Sequence, residues 1–247
     1  LVHDDIMDQA DIRRGEPTVH KKFGTNAAIL AGDVMLAYAY KYLTTVPLPL
    51  VPALMGVFNK TAIEIFEGQQ MDVDFENRND VKVQEYIKMI EYKTSVLLAC
   101  CTQLGAILGG ASEADQKAVY DFGLNLGLSF QIKDDLLDAF GEGDKVGKKI
   151  GGDILQNKKT YLYITTCNNA TDDQKTLLNS LATEKDETRK IEGVKDIMQQ
   201  TGAVQLTEKK AEELYNLSLQ SLKSISLDEG RKKVLFAMAE MVNKREY

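Results

Sequence analysis

Apolar residues along this chain recur at spacings of three and four. Ile87, Ile90, Tyr92, Val96 and Leu97 follow that pattern, and so do Leu206, Leu214, Leu217 and Leu222. A period near 3.6 gathers apolar side chains on one helical face, whereas a strand would alternate every second residue. Sustained alternation is scarce. The four prolines, Pro17, Pro47, Pro49 and Pro52, all lie early, and the rest of the chain is free of that helix breaker. The pattern predicts helices over 25–43, 50–76, 81–109, 113–139, 155–168, 172–183, 187–200, 203–224 and 228–244. A further helix is expected to end near Ala10, before a turn-rich loop holding Gly15 and Pro17. Residues 141–153, with five glycines, form the longest expected loop. No linker, repeat or low-complexity segment interrupts the pattern. The reading is therefore an all-α fold, one helical domain over residues 1–247.

Composition narrows the function classes. The chain has 247 residues, 44% hydrophobic and 27% charged, which is globular usage. Lys and Arg number 30 against 37 Asp and Glu, for a net charge of −7. That balance argues against a nucleic-acid partner. Three cysteines, two of them adjacent (Cys100, Cys101, Cys167), fit no disulfide framework and point to a reducing, cytoplasmic setting. No run reaches the ~20 apolar residues of a membrane span, so no transmembrane segment is expected; the best run, Ser95 to Ala111, is broken by Gln103. The chain opens at Leu1 without an initiator Met, inside an apolar and acidic pattern, and is expected to be part of a longer chain.

Two acidic clusters carry the chemistry. Asp4, Asp5 and Asp8 form a DDxxD pattern, and Asp134, Asp135 and Asp138 repeat it. On a helix, positions i and i+4 share a face, so each cluster projects paired carboxylates that repel unless a cation lies between them. Both clusters sit among apolar residues, such as Ile6 and Met7 or Leu136 and Leu137, where a solvated acidic face would instead carry Lys and Ser. Carboxylates select hard cations. Mg²⁺ takes one or two of them and completes its shell with water and phosphate oxygens. The two histidines, His3 and His20, form no cluster with cysteine, which argues against zinc.

Basic residues complement that picture. Arg13 and Arg14 follow the first cluster, and adjacent guanidiniums can fork onto phosphate. Lys93 and Thr94 interrupt an apolar helix, where a lysine is costly unless paired. The loop after the second cluster carries Lys148, and Lys158 follows it. That loop is no Walker A sequence, because Glu142 and Lys149 stand where glycine and a hydroxyl residue are required. It reads as a lysine-bearing flap able to close over phosphate.

With these motifs in hand, the chain resembles the trans-isoprenyl diphosphate (polyprenyl) synthase family. The resemblance lies in LVHDDIMDQADIRRGEPTVHKKFG at the start, LAGD at 30–33, GQQMDVDFE at 68–76 and YKTSVL at 92–97. FQIKDDLLDAFG at 130–141 and GKKIGGDILQNKKTYL at 147–162 continue the same order. It is strong to about residue 165. It implies an all-α terpenoid-synthase bundle around a central cavity. The implied reaction condenses an allylic diphosphate with isopentenyl diphosphate in a Mg²⁺-dependent ionisation, condensation and elimination. A homodimer and three Mg²⁺ ions per active site are implied as well. Carried over by position, Asp4 and Asp8 would ligate two ions and Asp134 a third, supported by Asp5, Asp135 and Asp138. Arg13, Lys93, Lys148 and Lys158 would hold the allylic diphosphate, and Arg14 the isopentenyl diphosphate. Thr94 and Gln131 would aim oxygens at the developing allylic cation. Gln69 and Asp72 would stand behind these groups. The family's upstream helices, with a Gly-Lys-Arg motif and a histidine, are absent from this sequence, and product length (farnesyl, geranylgeranyl or longer) stays open. Terpene cyclases share the first cluster, and non-catalytic prenyl synthase subunits share the fold. The cyclase's usual second motif is not DDLLD, and such subunits would be expected to lose aspartates.

Overall fold

In a computed structural model, residues 1–141 and 150–244 are described, and they fold as helices with a single two-stranded ribbon. The chain divides into two compact units, Leu1–Gly56 and the remainder from Val57.

In the first unit, α1 (Val2–Met7) leads into the ribbon β1 (Ile12–Arg13) and β2 (Glu16–Pro17), then α2 (Val19–Phe23) and α3 (Thr25–Leu43). The ribbon turns at Arg14 and Gly15, both at positive φ (54° and 81°). Antiparallel pairing sets Ile12 opposite Pro17 and Arg13 opposite Glu16. The sequence reading had only a turn here, because two-residue strands leave no periodic signal. Thr18 closes the corner, donating its hydroxyl to the Ala10 carbonyl at 2.7 Å. The first helix ends at Met7 with Asp8 as its cap, three residues short of the expected Ala10.

The connection to the second unit runs through a 3-10 turn (Leu48–Leu50) and α4 (Val51–Glu76). By length and composition, Leu48–Glu76 could cross a membrane, with a mean hydropathy of 1.2 over its best window. Counting uninterrupted apolar runs missed this stretch, since a mean tolerates scattered polar residues. The mostly buried core helix of a soluble protein passes the same test, whereas 11% of this window is buried.

The second unit continues with α5 (Val83–Ile90), a π-helical turn (Glu91–Ser95), α6 (Val96–Leu108) and α7 (Glu113–Phe140). Then come α8 (Gly152–Leu155), α9 (Tyr161–Asn169), α10 (Asp172–Ala182), α11 (Glu187–Gln200), α12 (Ala203–Lys223) and α13 (Glu229–Asn243). The expected helix over 81–109 is thus two helices joined by the π-turn. The expected helix over 155–168 begins six residues later, at Tyr161. Asn157 takes a left-handed backbone (φ 54°) and Thr160 caps the new start by accepting from the Tyr163 N–H.

Helix α7 organises this unit. Leu128 and Ile132 enter one apolar cluster with Tyr86, Met89 and Leu214. Ala139 enters a second with Ile154, Leu162 and Ile197. Phe122 and Leu126 enter a third with Leu222 and Ala239. Each fully buried leucine or isoleucine contributes about 1.5–3 kcal/mol. A helix shared by all three clusters is accordingly a rigid base for the aspartates at its C-terminal end.

Candidate active site

In the first unit, Asp4 and Asp8 lie one turn apart, and the Asp8 N–H donates to the Asp4 carbonyl at 2.8 Å. Asp4 is partly exposed and Asp8 exposed, while Asp5 between them is buried. Burying a carboxylate is costly unless it is paired. Arg13 pairs it: Nε and Nη2 reach the same Oδ1 at 2.6 and 2.5 Å. The hydrogen bond to Asp5 raises the Arg13 pKa further above its ordinary value. Arg13, expected on diphosphate, thus spends part of its donor fork on Asp5. Arg14 is exposed at the ribbon turn. His3, beside the cluster, donates its Nε2–H to the Ile29 carbonyl (2.9 Å) and faces Asp33 at 3.5 Å. It lies so close over Gly32 that a Cβ there would stand 2.3 Å from its Nε2. That glycine lets α1 settle on α3.

In the second unit, Asp134 and Asp138 are partly exposed and Asp135 is buried. The Asp138 carboxylate accepts the Asp153 N–H at 2.9 Å, and its carbonyl accepts the Gly151 N–H at 2.7 Å. Gly151 and Asp153 are thereby tied to the cluster, while residues 142–149 of the expected flap lie outside the described residues. Asp153 in turn faces Lys158 at 3.2 Å. Asp135 turns inward. It accepts the Tyr86 hydroxyl on Oδ2 and the Gln131 amide on Oδ1, the latter at 3.2 Å. Burial, and then the charge of Asp153, push the Asp135 carboxyl well above the usual carboxylate range. Burial and the adjoining Asp135 push the Tyr86 phenol up as well, so it remains a donor.

The π-turn presents the remaining groups. Lys93 pairs with Asp72 of α4, and the Thr94 hydroxyl donates to Gln131 Oε1 at 3.3 Å. A π-turn is rare and often marks a functional site. Here the Ser95 hydroxyl donates to the Ile90 carbonyl five residues back, at 3.3 Å. Two glycines let neighbouring helices close on the turn. A Cβ on Gly68 would lie 2.3 Å from the Lys93 nitrogen, and one on Gly127 would lie 2.8 Å from the Ser95 Cα. Gln69, beside Gly68, is buried. Lys148 lies outside the described residues.

Among the described residues, no three His, Cys, Asp or Glu side chains group as a self-sufficient metal cage. The donors on offer are hard oxygens, with two outward carboxylates per cluster. Mg²⁺, which keeps several waters and takes phosphate oxygens, fits that set. Tyr86, Gly68 and Gly127 escaped the sequence reading. A tyrosine at a core position was the available clue, since its buried hydroxyl requires a partner.

The Polyprenyl synthetase family model matches residues 1–200. The chain belongs to this family. It is 34% identical to the geranylfarnesyl diphosphate synthase of Natronomonas pharaonis, over 100% of this chain and 71% of that protein. It is 38% identical to the geranylgeranyl diphosphate synthase of Sulfolobus acidocaldarius, over 92% of this chain and 70% of that one. The crystal structure of geranylgeranyl pyrophosphate synthetase from Pyrococcus horikoshii superposes with a TM-score of 0.93 at 32% identity, covering 99% of this chain and 75% of the other. The architecture is the all-α isoprenoid-synthase fold of polyprenyl synthases.

Proposed function

We propose that this polyprenyl synthase condenses an allylic diphosphate with isopentenyl diphosphate, releasing diphosphate and a linear trans-polyprenyl diphosphate. The observation that carries the reading is that both DDxxD clusters are intact in a chain of this family. Asp4, Asp8, Asp134 and Asp138 would hold Mg²⁺, three ions in all with substrate bound. Asp5 and Asp135 would stand behind them, one clasped by Arg13 and one by Tyr86. When bound, Mg²⁺ supplies positive charge to the departing diphosphate.

The protein's own groups do the rest. Arg13, Lys93, Lys148 and Lys158 bind and orient the allylic diphosphate, and Arg14 the isopentenyl diphosphate. Asp72 holds Lys93 in place. As the allylic C–O bond breaks, its electron pair leaves with the diphosphate and the carbon skeleton becomes cationic. Preorganised dipoles lower that barrier because they need no rearrangement as charge develops. The oxygens of Thr94 and Gln131 supply such dipoles. The alkene of isopentenyl diphosphate then forms the new C–C bond, and a proton departs to a diphosphate oxygen. A homodimer belongs to the same proposal, supported by the apolar face of α3, where Leu30, Val34 and Tyr42 are 63%, 52% and 68% exposed.

Labelled isopentenyl diphosphate tests the reading. With a short allylic primer and Mg²⁺, label should enter a longer prenyl diphosphate, whose length chromatography reads. A cyclase would convert the primer without taking up label, and a non-catalytic subunit would do neither.

A further inference from the structure

The hydrogen bonds of Asp135 lead away from the exposed aspartates and into the core. Tyr86, 3% exposed on α5, donates its hydroxyl to Oδ2. Gln131, one turn before Asp135 on α7, donates its amide to Oδ1 at 3.2 Å. The Gln131 carbonyl oxygen then accepts the Thr94 hydroxyl at 3.3 Å. A glutamine amide carries a partial negative oxygen at one end and partial positive N–H groups at the other. Turned over, it would present the wrong sign to a developing cation. With its nitrogen committed to Asp135, its oxygen stays on the Thr94 side. Tyr86 fixes Asp135 from the opposite direction, so the carboxylate cannot swing out.

We propose that Tyr86 and Asp135 are positioning residues that hold the Gln131 amide with its oxygen toward the allylic cation. The inference rests on the role given above to Gln131 and Thr94. It adds a residue on α5, well removed in sequence from either aspartate cluster, to the machinery of ionisation. The residue acts through two hydrogen bonds and touches no substrate.

The test compares wild type, Tyr86→Phe, Gln131→Ala and the double variant at saturating Mg²⁺. The readouts are kcat, both KM values and affinity for two allylic diphosphate mimics. One mimic carries an ammonium nitrogen at the ionising carbon, and the other is its neutral carbon isostere. Tyr86→Phe keeps the ring and removes only the donor. It should lower kcat by about 10-fold or more and leave both KM values within about twofold, as expected when only transition-state stabilisation is lost. The preference for the ammonium mimic over the neutral one should fall in parallel. A purely structural role would not move that preference. Because Tyr86 acts through Gln131, the double variant should be no slower than Gln131→Ala.

If Tyr86→Phe retains wild-type kcat and mimic preference while Gln131→Ala loses both, the positioning role is overturned and the role of Gln131 stands. If Gln131→Ala itself is unaffected, the role of Gln131 fails and the inference fails with it. Should Tyr86→Phe not fold, Asp135→Asn replaces it. It puts an amide donor where the carboxylate offers only acceptors to Tyr86 and Gln131, so the preference for the ammonium mimic should fall along with kcat. A kcat loss with the wild-type mimic preference retained would assign Asp135 to metal support alone and overturn the proposal.

Discussion

At the scale of single residues, charge placed among apolar neighbours was the legible signal. The aspartates of α1 and α7 could be read because nothing in an apolar helix explains them. Asp4→Ala or Asp134→Ala should each lower turnover by at least ~10²-fold, as for loss of one transition-state electrostatic contact. The melting temperature should stay near wild type, since both side chains are partly exposed. Turnover near wild type in either variant would remove the metal assignment. Division of labour within each cluster was not legible. Asp5 and Asp135 look like their neighbours in the sequence, yet both are buried, one under Arg13 and one under Tyr86. Their partners lie 8 and 49 residues away, and no local pattern encodes either contact. His3 and Gly32 make a similar case in the first unit. Gly32→Ala would drive a methyl into the imidazole, and this part-exposed ring must turn aside and give up its hydrogen bond to the Ile29 carbonyl, at about 0.5–1.5 kcal/mol. In a His3→Ala chain the same change should lose much of that cost, measured by thermal unfolding, since the volume the methyl needs is already vacated.

At the scale of elements, helix existence was read well and helix interruption was not. Period and proline placement located α3, α4, α7, α10 and α11 within a residue or so. The π-turn at Glu91–Ser95 leaves no such trace, because one inserted residue barely disturbs a 3.6 period. Its effect is local and chemical: it sets Lys93 toward Asp72 and Thr94 toward Gln131. Gly68→Ala should be destabilising by about 1–3 kcal/mol, since its methyl meets backbone that cannot turn aside. It should also lower kcat through Lys93. Gly105→Ala, in α6 with open space around its Cβ, is the control; it should stabilise by about 0.5–1 kcal/mol. Equal unfolding temperatures for the two variants would contradict the close approach of α4 to the π-turn. Helix capping gives a pH-dependent counterpart. Asp115 in the first turn of α7 accepts the Ser226 N–H at 2.7 Å, and that bond, with the Ser112 hydroxyl, lowers its carboxyl below the usual 3.8. A depressed carboxyl contributes stability that is in place above its unfolded pKa and is lost as pH falls through the folded value. Asp115→Asn should therefore flatten the acid limb of the unfolding profile below about pH 4, with little change at neutral pH. An unaltered acid limb would count against that contact.

For the whole molecule, the residues of α3 pose the remaining question. Leu30, Val34, Tyr38 and Tyr42 follow one another every fourth position and are all at least half exposed. Met35, 61% exposed, widens the row. Spacing of four lines such side chains along one face, and the rings of Tyr38 and Tyr42 stand 6.4 Å apart along it. In the sequence this helix was simply an apolar helix, and nothing distinguished residues facing the unit's own core from residues facing outward. The structure makes that distinction: Ala28 is fully buried, and the fourfold row is not. Contiguous apolar surface of this kind marks an interaction site, because leaving it in water forfeits about 25 cal/mol per Å². In a homodimer of the proposed kind the row meets a symmetric copy of itself, and a residue on the two-fold axis meets its own equivalent. Light scattering on the purified chain should then give twice the 27.5 kDa chain mass. Val34→Glu would set two carboxylates against each other in an apolar contact, so the same measurement should give the single-chain mass with the helical circular-dichroism spectrum retained. A wild-type chain at the single mass would place the α3 row outside any self-association. A Val34→Glu chain still at twice the mass would locate the interface elsewhere.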